Sequence, residues 1–194
     1  RTSRGLGDVY KRQILDNKVV KAIKGDRANY KPISSKLYNS TEPVEIIKQL
    51  SKRYSPHIIY IADLDAISAN NVNHALFNKI LNMFPKIVFW IDTGINNIKL
   101  IKRFKNYVPI FCSEKSKGFD LVSNQNSDYI FSLDIDSSFL GTKPIHKHKR
   151  YLPKKIIIMD FLQIGSENKF NHKNAIKFIR NDKRNYYIAG GIKN

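Results

Sequence analysis

The sequence has little of several things, and each shortage excludes something. It holds one cysteine, Cys112, so no internal disulfide can form and a reducing cytoplasm is the expected compartment. No apolar run approaches the roughly 20 residues of a membrane-spanning helix. The five histidines, His57, His74, His146, His148 and His172, show no ligand spacing with cysteine or acids, so no metal is expected. Acids are scarce as well: 16 Asp and Glu face 34 Lys and Arg, for a formal charge of +18. What is plentiful is core material, with 42% hydrophobic and 11% aromatic residues in 194, enough for one packed domain.

The first thirteen residues, RTSRGLGDVYKRQ, differ from the rest. They carry five charges, no initiating Met, and neither the apolar core of a secretory signal nor the acid-free pattern of a transit peptide. GLGDVYKRQ resembles a translated sequencing adapter, so residues 1–13 are expected to be a non-native segment preceding a domain over 14–194. Arg1, Arg4, Lys11 and Arg12 against Asp8 account for three of the positive charges, leaving +15 elsewhere. Lysines are spread through every segment, densest in KPIHKHKRYLPKK at 143–155. Scattered charge points to a solvated surface, whereas a polyanion site clusters it, so a non-catalytic polyanion-binding protein stands as the non-enzymatic alternative. Neither a specific nucleic acid nor a membrane is expected as partner.

Seven runs rich in Ile, Val, Phe and Tyr read as strands: 18–23, 57–63, 86–92, 108–112, 128–134, 155–161 and 185–191. Several are continuously apolar, as parallel strands buried on both faces require. Helical patterns lie between them. STEPVEIIKQLSKRY has Ser40 or Thr41 as N-cap, Pro43 in the first turn, and Val44, Ile47, Leu50 and Tyr54 on one stripe. Others are expected in NNVNHALFNKILNMF, NNIKLIKRF and HKNAIKFIRN. The polar stretch 114–127 has little room for one. Alternating strands and helices predict parallel βαβ units.

An internal echo narrows the choice. IDTGINN at 91–97 matches IAGGIKN at 188–194, and IADLDAIS at 61–68 matches IMDFLQIG at 158–165. Both matches have the same offset, since Gly191 lies 97 residues after Gly94 and Asp160 lies 97 after Asp63. Two similar halves in one chain predict an α/β fold of the (β/α)8 TIM-barrel type. Such barrels need about 250 residues, so the barrel is expected to be incomplete, lacking part of strand one and all of strand eight.

KVVKAIKGDRANY, IIYIADLDAI, IDTGI, IFSLDI and IAGGI, in this order and spacing, resemble the histidine-biosynthesis isomerase and cyclase family over nearly everything from Gln13 to Asn194. The isomerase is the closer of the two. The resemblance implies an aldose–ketose isomerase acting on a phosphorylated ribotide without a cofactor. A related enzyme with another phosphorylated substrate is the alternative. Such an isomerisation needs a general acid to open the ribose ring and a general base to take the proton from its second carbon. The family supplies both from aspartates at the ends of its first and fifth strands. Asp134 in FSLD matches the fifth; its plainer role is capping the following loop. Aligning NKVV puts Gln13 at the position of the first, so the chain as written is expected to lack its base and to be inactive. Asp16, three residues downstream, is expected to be a loop residue, the alternative being a shifted replacement for the base.

The family's two phosphate sites match Gly190 and Gly191 on one side, and Gly94 with Ser113 on the other. There Asp92 and Thr93 replace two of the usual three glycines, bringing a negative charge. Tight turns are the simpler use of these glycines, and a loop role stands equally for Ser113, which Glu114 follows. Lys24 and Arg27 in KGDRANYK would form a lid over the substrate or a solvated loop. Asp63 and Asp160, at strand ends, would lie on the pocket floor, orient hydrogen bonds, or cap loops.

Overall fold

The computed structural model describes residues 9–23, 26–34, 37–94, 104–113, 128–136, 138–139, 152–164, 179 and 183–190. The chain divides into two compact units. The N-terminal unit comprises 8–22 and 26–109; the C-terminal unit comprises 110–194 with the short segments 1–7 and 23–25. Most of the expected helices at 96–104 and 172–181, the stretch 114–127, and most of the basic stretch 143–155 lie outside the described residues.

The N-terminal unit starts with a hairpin. Strand β1 (Val9–Leu15) turns through Asp16 and Asn17 and pairs antiparallel with β2 (Lys18–Lys21), Gln13 opposite Val20. Both turn residues have positive φ, 49° and 59°. That is the geometry of the two-residue turn whose twist matches paired strands, and Asp and Asn tolerate it. A short β3 (Lys31–Pro32) adds antiparallel to β2. On its other side β1 pairs parallel with β4 (Ile58–Asp63), from Val9 opposite Ile58 to Ile14 opposite Asp63. Thus Val9–Arg12, although in the segment read as foreign, pair in register with native-like sequence. β4 pairs parallel with β5 (Val88–Asp92), and β5 with the first half of β6 (Tyr107–Cys112).

Three α-helices among the described residues belong to this unit. In α1 (Pro43–Tyr54) the chain enters at Glu42 with Pro43 in the first turn, where its missing N–H costs nothing, and leaves through Ser55 in the left-handed region. The cap is therefore one residue later than Thr41, whose carbonyl instead accepts from the Val19 N–H at 2.8 Å. Val44, Ile47 and Leu50 are buried as the stripe requires, together with Ile46, whereas Tyr54 is exposed and stacks on Tyr10 at 5.3 Å. The six-residue α2 (Leu64–Ala69) follows β4 directly, and α3 (His74–Met83) is capped by Asn73, whose side chain accepts from the Leu76 N–H. Val44 and Ile47 of α1 and Phe77, Ile80 and Leu81 of α3 pack on Ile14, Ile59, Ile61, Phe89 and Ile91. These sheet residues lie on one face by strand alternation, and burying them supplies most of the unit's driving force.

The C-terminal unit is a parallel run. β7 (Ile130–Asp136) lies between the second half of β6 and β9 (Lys155–Asp160), and β9 also pairs with β10 (Asn185–Ala189). A short β8 (Ser138–Phe139) folds back antiparallel on β7.

These findings correct the (β/α)8 expectation. Among the described residues there are three α-helices, all in the N-terminal unit, where a (β/α)8 fold needs one after every strand. The run at 18–23 is no parallel strand: the Asp16–Asn17 turn reverses the chain before any crossover helix can form, and β2 occupies the flank of β1. The class is α/β with mostly parallel strands. No helix among the described residues is long and apolar enough to cross a membrane.

Candidate active site

Strand register decides which side chains can meet, because residues directly opposite in neighbouring strands share a face. In the C-terminal unit Asp134 is opposite Met159, and Met159 opposite Ala189. Asp134 is only 1% exposed. Its Oδ1 accepts from Ser132 Oγ at 2.7 Å, from two residues back on the same strand and face. Its Oδ2 accepts from Ser113 Oγ at 3.4 Å, and that hydroxyl oxygen itself accepts from the Asp134 N–H at 2.9 Å. Two buried hydroxyls thus fix both carboxylate oxygens. Ser113, expected beside a phosphate, is brought to Asp134; Ser132 was not anticipated, although its i, i+2 spacing to Asp134 in FSLD is the signal.

Asp160 is opposite Ile135 and so faces away from Asp134. It meets Gly190 instead. A Cβ on Gly190, at φ +97°, would stand 2.4 Å from the Asp160 carbonyl oxygen, so the close approach of the two strand ends requires glycine here. Gly191 lies outside the described residues.

In the N-terminal unit Gln13 is opposite Ala62, and Ala62 opposite Asp92. All three are buried. Asp92 Oδ1 accepts from the Gly94 N–H at 3.1 Å, holding the Asp92–Thr93–Gly94 turn with Gly94 at φ +78°. Gly94 approaches the backbone of Ala66 and Ile67 in α2. Asp63 is on the other face, aligned with Ile59 and Ile61. Its Oδ1 accepts from the Ala66 N–H at 3.1 Å and so caps α2. Its Oδ2 is buried and has no hydrogen-bond partner among the described residues. Burial, reinforced by the neighbouring Asp65 charge and opposed by the α2 N–H groups, raises its pKa from 3.8 to about 6. Loop capping is therefore the role its contacts show. Burial likewise pushes the Tyr129 hydroxyl up to about 12 and raises that of Tyr107, with the Asp92 charge acting in the same direction. Arg27 lies half-buried on a 3₁₀ turn, Arg27–Asn29, between β2 and β3.

The two units repeat one pattern. β9–β10 has the register of β4–β5 shifted by 97, Lys155 opposite Asn185 as Ile58 is opposite Val88. Gln13 stands to Ala62 as Asp134 stands to Met159. The place assigned to Gln13 by resemblance is thus the place that Asp134 holds in its own unit.

Mostly parallel strands with buried carboxylates at their C-terminal ends define an α/β protein of the kind that gathers polar groups at one end of its strands. Residues 13–110 match the family described as histidine biosynthesis protein, and the chain belongs to that family. It is also similar to an uncharacterized protein of Methanocaldococcus jannaschii, 27% identical over 188 residues that cover 93% of this chain and 80% of the relative.

Proposed function

We propose that the protein binds a phosphorylated, ribotide-like small molecule and isomerises it from aldose to ketose, with Asp134 as a proton-transfer residue. The observation that carries this reading is the buried Asp134 carboxyl held at both oxygens by Ser132 and Ser113. A protonated Asp134 gives its proton to the ribose ring oxygen as the ring opens. The two hydroxyls then stabilise the carboxylate left behind, as charge-assisted hydrogen bonds do. In this reading Gly190 and Gly94, both at positive φ, are the glycines that serve the phosphate groups.

The test uses Gln13→Asp protein, which carries a carboxylate at both strand ends, assayed on phosphoribosylformimino-aminoimidazole carboxamide ribotide. Turnover that falls about 10²- to 10⁴-fold in Asp134→Asn supports the reading; no turnover, or turnover indifferent to Asp134, rejects it. A second reading, the same type of site for a different phosphorylated substrate, is favoured by the buried Asp92 in the Asp92–Thr93–Gly94 turn, since a carboxylate repels an anion. Failure to rescue a histidine-requiring strain that lacks the isomerase, with other sugar phosphates turned over, would decide for it.

A further inference from the structure

Gln13 has no exchangeable proton of useful acidity, yet the row in which it stands is not without a carboxylate. Gln13, Ala62 and Asp92 are directly opposite one another on β1, β4 and β5, so their side chains share one face near the strand ends. We propose that Asp92 is a second proton-transfer residue of this chain, supplying from β5 the group that position 13 lacks; this rests on the isomerase reading above.

Three observations bear on it. The corresponding row of the C-terminal unit is Asp134, Met159, Ala189, so each row holds one carboxylate, at opposite ends. Ala189 occupies the counterpart of Asp92, so the strand pairing itself does not demand an acid there. The Gly94 N–H fixes Asp92 Oδ1 at 3.1 Å, which orients the carboxylate. Ala62 separates Gln13 from Asp92, where the other row has the bulkier Met159. Two strand spacings set the Gln13 and Asp92 backbones about 10 Å apart, with only a methyl group between them. A sugar carbon can lie over that methyl within reach of either side chain.

The step balances without a co-reactant. The Asp92 carboxylate takes the proton from the second carbon of the ring-opened protonated imine. The released C–H pair forms the C1=C2 double bond, and the C1=N pair returns to nitrogen. Protonation at C1 and loss of the C2 hydroxyl proton then give the aminoketose.

Four proteins test this on the ribotide: the chain with Gln13, Asp92→Asn, Gln13→Asp, and Gln13→Asp with Asp92→Asn. Thermal melts accompany each to follow folding. The chain with Gln13 is expected to turn over, Asp92→Asn to lose about 100-fold in kcat with KM within about threefold, and Gln13→Asp in that background to recover at least tenfold. A merely structural Asp92 would not be rescued from position 13. Turnover by Gln13→Asp combined with an inactive Gln13 chain, or with one indifferent to Asp92→Asn, overturns the role of Asp92 and leaves the isomerase reading intact. No turnover by Gln13→Asp overturns both.

Discussion

Replacing Asp63 by Asn should make the protein relatively more stable as the pH rises. In the folded chain the Asp63 carboxyl titrates near 6, because burial penalises its charge more than the α2 N–H groups favour it. In the unfolded chain it titrates near 3.8. At pH 5 the folded state therefore holds a proton that the unfolded state has lost, and raising the pH works against folding. The penalty is absent below about pH 4, grows between 4 and 6, and is complete above 6, where it amounts to about 3 kcal/mol. Asn keeps the acceptor for the Ala66 N–H and removes the charge. Its amide also leaves a buried donor where Oδ2 has no partner, costing about 1–3 kcal/mol, but that cost is independent of pH. The measurement is therefore the difference in melting temperature between Asp63→Asn and the parent, from pH 4 to pH 8. It should move by roughly 6–12 °C in favour of Asn across that range for a chain of this size. A difference that stays flat would mean that Asp63 has an ordinary carboxyl pKa, and the account of its burial would be wrong.

Gly190→Ala should lower stability by at least about 2 kcal/mol, since the added methyl meets the Asp160 carbonyl oxygen and φ +97° is strained for alanine; an unchanged melt would refute the close approach of these strand ends. Ser132→Ala should reduce ribotide turnover by Gln13→Asp protein about 10- to 100-fold at nearly constant KM, the effect of losing a hydrogen bond to a charged group worth about 1.5–3 kcal/mol. Full activity in that variant would remove Ser132 from the support of Asp134.

Six of the strands could be read from runs such as IIYIA and IIIMD because central parallel strands are apolar on both faces. The same property hid their orientation. With both faces apolar, nothing told that the face Asp63 shares with Ile59 and Ile61 is the one packed on the helices, or that the strand register turns Asp160 away from Asp134, so both aspartates looked like pocket candidates. KVVKAI at 18–23 reads as one more β-rich run, and its antiparallel pairing is written in the preceding Asp16–Asn17, two residues that accept positive φ. The entry of α1 was misjudged by one or two residues because Thr41 spends its carbonyl on Val19, a contact between segments 22 residues apart. The partnership of Ser113 with Asp134 likewise joins separate strands, and only the folded pairing of β6 with β7 brings them together.

The matched registers of β4–β5 and β9–β10 have a historical consequence. IIYIAD with VFWID and KIIIMD with NYYIA agree at four of eleven positions, while all five Cα pairings are kept. Letters have drifted and alignment has not. Selection explains the asymmetry: exchanging one apolar side chain for another perturbs a core locally, whereas slipping a strand by one residue turns every side chain to the wrong face. A gene built by joining two copies of one ancestral module leaves this trace. Its descendants are then better traced by which backbone positions stand opposite each other than by the residues that occupy them.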